Sequence, residues 1–463
     1  MGYIQGFSCP PSPSIEWKKT WGGYSDEIMY EMVLDSTGFF YMAGETWSYG
    51  NGGSDLFIVK INETHTQYTT WGGAESEEFS GMVIDSNDKV YITGSTSSYG
   101  AGEKDVVLLK YNTSLELEWY SIWDYNGSDS SSRIALDSLD NIYIAGITNS
   151  PYYDIFLIKY DSTGSLQWNY TWSTKNPNIT EEVLSLEIDT SDHIFLGVNT
   201  NITGSEWFLL KYDISGTLLL NKSYNRYLPI ELLVLDSSDN LYAMGSYKNI
   251  YLSKFNNNGN LEWNLTCIQN SIEATELLAI GPSDNIYISG TELINPSVII
   301  HGYNITDYDT YLMKFNNSGI LKWNRTLIGD NNKFPEILTF DFLGNLFLGG
   351  STELIATKEL DVFVRVFDSS GNPIKEIGGG GEGDAYCKGI YAESPQSFFA
   401  AENFENWDYE IMLTKYIEPE NYCPPFFNLA YQIMRIIFNG LFYISLLIGV
   451  IYLIIQRKTR VNH

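Results

Sequence analysis

One motif recurs eight times along the chain, and its spacing limits the available folds more than any other feature. "VLDSTGFFYMAG" from Val33 returns as "VIDSNDKVYITG" from Val83, "ALDSLDNIYIAG" from Ala135 and "EIDTSDHIFLGV" from Glu187. It continues as "VLDSSDNLYAMG" from Val234, "AIGPSDNIYISG" from Ala279 and "TFDFLGNLFLGG" from Thr339, and a degenerate copy, "YAESPQSFFAAE", begins at Tyr391. The acidic position falls at Asp35, Asp85, Asp137, Asp189, Asp236, Gly281, Asp341 and Glu393, at intervals of 45 to 60 residues. That period is too long for most helical or leucine-rich solenoids and has the size of a propeller blade.

Each copy reads as strands. An apolar run ends in the acid, a turn rich in Asp, Ser, Gly and Asn follows, and an alternating run such as Asn141 to Gly146 comes next. Those turn residues supply side-chain-to-backbone bonds and positive φ, which tight hairpins need. A third run, "DLFIVKI" (Asp55 to Ile61) or "DVVLLKY" (Asp105 to Tyr111), is almost continuously apolar, as expected of a strand covered on both faces. A turn and a fourth strand close the unit, as in "DSTGSLQWNYTW" from Asp161. The chain starts with an isolated fourth strand, Ser14 to Trp21, and its last unit stops on a third strand, Glu410 to Tyr416. The reading is therefore all-β: an eight-bladed β-propeller, seven blades being the fallback, in which the N-terminal strand completes the last blade. Aromatic content of 15%, with 34 Tyr, agrees with strands.

The combination "GG…lDs.GnvYvtG.T" with "D.fl.Ky…G…W", from about Trp21 to Tyr416, resembles the SBBP (β-propeller) repeat of bacterial and archaeal surface proteins. The resemblance implies an extracellular propeller, in a family whose members mostly have no assigned activity. The turns of the type Asp161 to Trp168 are also similar to the tryptophan-docking repeats of quinoprotein dehydrogenases and of non-catalytic outer-membrane assembly propellers, where the Trp mostly staples blades.

After residue 420 the pattern stops. The expected organisation is a segment 1–13, the propeller 14–420, a linker 421–435, a transmembrane helix 436–455 and a basic tail 456–463. The run from Ile436 to Ile455 holds 20 residues without a charge, enough helix to span about 30 Å of hydrocarbon. Arg457, Lys458 and Arg460 follow, and such a flank stays cytoplasmic, which puts the propeller outside. Eleven Asn-x-Ser/Thr sequons fit an exported domain: Asn62, Asn112, Asn126, Asn169, Asn178, Asn201, Asn221, Asn264, Asn304, Asn316 and Asn324. Met1 to Ser8 shows no apolar core of an export signal. Either the true start lies upstream or the propeller is cytosolic and tail-anchored; the basic flank and the sequons favour the first.

The formal net charge of −30 repels phosphate backbones and argues against nucleic acid as partner. The four cysteines and four histidines show no zinc spacing. Cys9 and Cys423 sit in "CPP" contexts at the two ends of the ring, where a disulfide would tie distant segments, whereas Cys267 and Cys387 read as small buried groups. The lysines ending the third strands (Lys60, Lys110, Lys159, Lys211, Lys254, Lys314, Lys415) are expected to pack their stems and pair with the recurring acids, here Asp35, Asp85, Asp137, Asp189, Asp236 and Asp341. These turns lack the dense alternating carboxylates of a calcium loop, so no cofactor is expected, Ca²⁺ being the one weighed. No Ser/His/Asp set, phosphate loop or quinone-binding cluster is visible. The sequence thus points to a non-enzymatic binding, adhesion or cell-envelope module on a membrane, with a protein or glycan ligand. A lyase, glycosidase or quinoprotein-like oxidoreductase working at the channel mouth, and a tail-anchored cytosolic scaffold, are the alternatives.

Overall fold

The computed structural model describes residues 14–417 apart from 102, 126, 150–152, 177–178, 201–205, 225–230, 247–248, 270–276, 301–302, 328–331, 354–359, 380–383 and 406–408. Two compact units are present, Ile15–Tyr416 and a second made of Met1–Ser14 with Ile417–His463, of which only Ser14 and Ile417 are described. The apolar run 436–455 and both Cys9 and Cys423 lie outside the described residues, and no described helix is long and apolar enough to cross a membrane.

The first unit contains eight four-stranded antiparallel sheets. Blade 1 runs Glu27–Leu34, Phe40–Thr46, Asp55–Ile61 and Thr66–Trp71, and blades 2 to 7 repeat this meander. Blade 8 takes Ala385–Ser394, Ser397–Glu405 and Tyr409–Ile417 from the end of the chain and its outer strand, Ser14–Trp21, from the start. The first strands of successive blades touch one another all round the ring, including those of blades 8 and 1, so they form its inner wall.

The turn chemistry is carried out by the recurring acid. In blade 1, Asp35 Oδ1 accepts the Thr37 and Phe39 N–H groups, both at 2.9 Å, and Asp137 Oδ1 does the same for Leu139 (3.0 Å) and Asn141 (2.9 Å) in blade 3. Three residues after the acid the backbone enters the left-handed region: Gly38 (φ 87°) and Gly344 (φ 81°) do so freely, but Asp88, Asp140, Asp192, Asp239 and Asp284 do so at φ 53–60°. A non-glycine residue is strained there by about 1–2 kcal/mol, and the structure shows what offsets the strain. Each of these five aspartates receives two bonds from the hydroxyl residue of the preceding blade: Ser36 to Asp88, Ser86 to Asp140, Ser138 to Asp192, Thr190 to Asp239 and Ser237 to Asp284. Between blades 6 and 7 the pair is Pro282 and Gly344, and a Cβ on that glycine would lie 3.1 Å from the proline ring.

The final glycine of the motif has its own reason. In six blades a bulge adds one residue to the inner strand, at Tyr30, Ser80, Ser132, Leu184, Glu336 and Lys388. Opposite it, a Cβ on Gly44 would lie 1.9 Å from the Ile28 carbonyl oxygen, and one on Gly350 2.0 Å from that of Phe334.

The apolar core is divided among the interfaces. Tyr41, Ala43, Leu56 and Ile58 of blade 1 meet Met82, Val90, Ile92 and Val107 of blade 2, and equivalent clusters fill the next six junctions. At the closing junction Trp21, Phe399, Ile411 and Leu413 meet Met29, Phe40, Phe57 and Val59. The second and third strands of blades 1 and 2 are buried along their whole length, covered on both faces as their composition requires. On the outer strands, Trp119, Trp168, Trp263 and Trp323 each lie over the glycine of the next blade's last turn, Gly164, Gly216, Gly319 and Gly371, all at positive φ.

The Ser–Asp latch can be tested alone. Asp140→Ala should lower stability by about 1–2 kcal/mol, because it keeps the left-handed strain and loses the bonds to Ser86. Asp140→Gly should cost less than half as much, as read by thermal denaturation. Equal losses for the two would contradict this account of the turn.

Candidate functional site

The two faces of the ring differ. One carries the turns after the first and third strands, and there the recurring charges are tied into the architecture. Lys60 Nζ lies 3.5 Å from Asp35 and donates to the Thr113 carbonyl of blade 2 at 2.7 Å. Lys159 repeats this with Asp137 (3.7 Å) and Ile214 O (3.1 Å). Lys211 pairs with Asp189 at 3.4 Å and bonds to Asn257 of the next blade. Lys110, Lys254 and Lys415 pair instead with outer-strand glutamates, Glu118 (3.7 Å), Glu262 (3.2 Å) and Glu16 (3.0 Å). Lys314 donates to Ser369 O at 2.9 Å. Five of these ammonium groups sit 5.0–5.5 Å over a tyrosine of the neighbouring strand, as Lys110 does over Tyr91 (5.0 Å) and Lys159 over Tyr143 (5.0 Å). Tyr91, Tyr143 and Tyr242 in turn donate to Asp85 (3.2 Å), Asp137 (3.0 Å) and Asp236 (3.0 Å). Burial pushes the Asp35, Asp189 and Asp236 carboxyls up, but the hydrogen bonds they accept outweigh it and hold all three below the usual range. Asp341 accepts the Leu343 (2.9 Å) and Asn345 (2.8 Å) N–H groups.

The sequons divide by position. Asn169, Asn221, Asn264 and Asn324 are exposed on outer strands, whereas Asn62, Asn112 and Asn316 use their carboxamide oxygens to cap the turns after third strands. Asn126, Asn178 and Asn201 lie outside the described residues, and Asn304 is described only as strand backbone. Cys387 is fully buried against Gly349, and Cys267 is partly buried against the core between blades 5 and 6.

The opposite face carries features that no short-range pattern announces. Tyr24 (97% exposed), Trp47, Tyr99 and Tyr125 stand exposed on the connections of blades 1 to 3, and Tyr153 at the start of blade 3's third strand. Beneath them, acids meet in pairs across the blade junctions. Asp55 of blade 1 and Glu77 of blade 2 are both buried and flank Gly72, where a Cβ would lie 1.8 Å from Asp55 Oδ1 and 2.3 Å from Glu77 Oε2. Burial raises the Asp55 carboxyl to about 6, against the Asn51 amide and with Glu77 adding to the rise. At the next junction Asp105, Asp124 and Asp129 each place an oxygen within 4.8 Å of the others, the one group among the described residues close enough to share a cation. Blade 6 departs differently: its middle strands, Asn285–Ile300 and Tyr303–Phe315, stay paired from Ile286 and Phe315 out to Ile300 and Tyr303. Beyond Thr291–Thr310 this hairpin extends nine residues on one strand and seven on the other, roughly 23 Å of paired strand. In the sequence it shows only as the 60-residue interval between Gly281 and Asp341.

At the inner wall, the bulge residues Lys388 and Glu336 pair at 3.0 Å, and Tyr30 stacks on Phe79 with ring centroids 5.7 Å apart. Glu187 stands where other blades have Val33, Val83 and Val234; burial raises its carboxyl to about 7. Glu402 occupies the position of the motif's final glycine in blade 8, opposite Cys387, and burial raises it likewise to about 7, against a bond from Tyr416.

Among known proteins, the family model of the SBBP β-propeller repeat matches residues 121–153, from the outer strand of blade 2 into blade 3. No curated relative matches the chain's sequence. Similar solved structures include a streptogramin B lyase, at 14% identity and TM-score 0.43 over 73% of this chain and 93% of that one. The hydrazine synthase of Kuenenia stuttgartiensis gives 9% identity and TM-score 0.43 over 69% and 91%. A protein of unknown function from Bacteroides caccae gives 11% identity and TM-score 0.34 over 59% and 90%. Likeness this distant carries no argument about activity.

The raised Glu187 carboxyl has a measurable sign. Between its unfolded value near 4.3 and its folded value of about 7 the folded chain holds the extra proton, so stability falls as pH rises through that window. Glu187→Val should therefore stabilise the protein by roughly 1–3 kcal/mol at pH 8 and change little near pH 4. Melting curves at the two pH values check this, and an equal gain at both would contradict it.

Proposed function

We propose that this chain, a propeller carrying the SBBP-type repeat, is a non-enzymatic recognition module anchored to a membrane by its apolar segment 436–455, with the ring outside and the basic tail in the cytoplasm. The observation that carries the reading is the set of exposed aromatic side chains, Tyr24, Trp47, Tyr99, Tyr125 and Tyr153, gathered on one face over blades 1 to 3. Exposed tyrosine and tryptophan give large, rigid contact area at small entropic cost and dominate binding energies where a partner covers them. The ligand of this face would be a protein or a glycan.

The turn face supports a structural rather than catalytic role for the recurring charges, since each lysine described above bonds to a carboxylate or a carbonyl of the ring. The exposed outer-strand asparagines favour export, because their side chains are open to solvent where a sugar would be attached.

Glycan mapping on protein from its own host should find sugars at Asn169, Asn221, Asn264 and Asn324 more fully than at Asn62, Asn112 and Asn316, and wholly unmodified sequons would contradict an outside ring. Trp47→Ala with Tyr24→Ala should leave the melting temperature within a few degrees and weaken retention of the protein or glycan ligand by about tenfold or more. Unchanged retention would remove the aromatic face as the binding surface.

A further inference from the structure

The repeat supplies its own controls beneath the aromatic face. At four successive junctions an acid near the start of one blade's third strand is followed by an acid at the start of the next blade's first strand. The pairs are Glu410 with Glu27, Asp55 with Glu77, Asp105 with Asp129, and Asp154 with Glu181. The residue just after the outer-strand tryptophan varies. Blades 1 and 2 are entered through Trp-Gly-Gly, Trp21 to Gly23 and Trp71 to Gly73, blade 3 through Trp123-Asp124-Tyr125, and blade 4 through Trp172-Ser173. Hydroxyls answer the acids at the last two of these junctions: Thr148 bonds Asp129, and Ser173 bonds Asp154. At the first, Glu410 is only half-buried. Entering blade 2, both acids are fully buried and Gly72 offers no hydroxyl.

That leaves one oxygen unanswered. Asp55 Oδ2 accepts the Asn51 N–H at 2.9 Å, while its Oδ1 has no hydrogen-bond partner. Glu77 Oε1 accepts the Thr96 hydroxyl at 2.8 Å, and its Oε2 accepts the Gly73 N–H at 3.2 Å. Asp55 Oδ1 and Glu77 Oε2 press on the same glycine, 1.8 Å and 2.3 Å from the point a Cβ on Gly72 would take. They therefore stand no farther apart than those two lengths together. Two ionised carboxylates so close and out of water repel each other, and the unmade bond adds its own cost. Two buried oxygens supply at most a third of the roughly six to eight that Ca²⁺ takes, and burial keeps out the water that would complete its shell. One proton between them removes both penalties.

We propose that Asp55 and Glu77 share one proton, held between Asp55 Oδ1 and Glu77 Oε2, and that it fastens blade 2 to blade 1 beneath the aromatic face, so that the junction loosens when the proton leaves. The pair sits inside a short zipper: the Glu77 N–H donates to Ser54 O at 2.8 Å, the Ser54 hydroxyl to Glu77 O at 2.9 Å, and the Gly53 N–H to Glu75 O at 3.3 Å. The titratable groups packed around it are engaged elsewhere. Glu27 accepts the Thr46 hydroxyl and the Gly23 N–H, each at 2.9 Å, Glu78 pairs with Lys104, and Glu75 is exposed. Burial, with the Glu77 charge adding to it against the Asn51 bond, puts the Asp55 carboxyl at about 6. Its unfolded value is near 3.9, so the folded chain holds the extra proton in between. The stability contributed by the pair is whole below about pH 4 and is lost as pH rises to about 6. The Tyr99 hydroxyl donates to the Gly72 carbonyl at 3.2 Å and its ring packs on Trp71 at 5.1 Å, so a looser junction releases one exposed aromatic ring.

The test is amide hydrogen exchange on the full chain in detergent at pH 5 and pH 8, corrected for the intrinsic pH dependence of exchange. Protection of the Gly53 and Glu77 amides should fall by at least about tenfold from the lower pH to the higher. Asp55→Asn keeps a donor toward Glu77 and removes the titrating proton, so both amides should stay protected at either pH. Glu77→Gln gives Asp55 a neutral partner and should likewise abolish the response. Wild-type protection that is the same at both pH values, or an Asp55→Asn chain that loses protection as the wild type does, would overturn the proposal. Recovery of wild-type protection at pH 8 on adding millimolar CaCl₂ would also overturn it, by making the bridge a metal ion.

Discussion

Each blade is a sheet with two apolar faces, and nothing within one unit of about fifty residues can cover either of them. That constraint explains the division of the core into one cluster per junction. It explains why middle strands such as Asp55–Ile61 are buried throughout, and why a chain that begins in mid-blade must return to its own start. An open stack would leave the Met29, Phe40 and Phe57 face of blade 1 and the Phe399, Ile411 and Leu413 face of blade 8 in water. Closing the ring buries both, at about 25 cal/mol for each Å² of apolar surface.

Apolar burial is not directional, and the polar contacts supply register. The turn acid organises its own hairpin through backbone N–H groups, the lysine reaches from one blade to a carbonyl of the next, and the Ser–Asp latch joins successive turns. The latches occupy five consecutive junctions, from blades 1–2 to 5–6, while the remaining three use Pro282 against Gly344 or side chains that cannot form the pair. The ring is therefore least uniform where blades 6 to 8 meet blade 1. Blade 8 also places Glu402, and blade 4 Val198, where the other six blades have glycine. Stability in such a ring is a sum over junctions, so the acids with raised pKa at Glu187 and Glu402 weigh on particular junctions rather than on the whole.

Much of this was legible in the sequence because the relevant partners are adjacent in it. Asp35 and Asp137 act on residues two and four positions later, and the alternation of a strand is local, so hairpins, blade number and the closing strand could be read from one copy and its repetition. The rest depends on residues a blade apart. Ser36 gains its meaning from Asp88, and Trp119 from Gly164. Asp124 reads as an ordinary loop acid until Asp105 and Asp129 are brought beside it from two different strands. Exposure is equally invisible locally. Tyr49 and Tyr99 both stand in Ser-Tyr-Gly, yet Tyr49 is half-buried against Trp21 and Tyr68 whereas Tyr99 is 41% exposed. The change from Trp-Gly-Gly to Trp-Asp-Tyr was the signal available in the sequence, and it is informative only once the glycine is known to be crowded by carboxylates.

Closure by the first strand is the claim on which the ring rests, and amide hydrogen exchange on the intact chain reads it directly. The account predicts that amides in Ser14–Trp21 are protected to the same degree as those in Tyr409–Ile417, and that both segments lose protection together as the protein is destabilised. Rapid exchange of Ser14–Trp21 beside a fully protected Tyr409–Ile417 would contradict it.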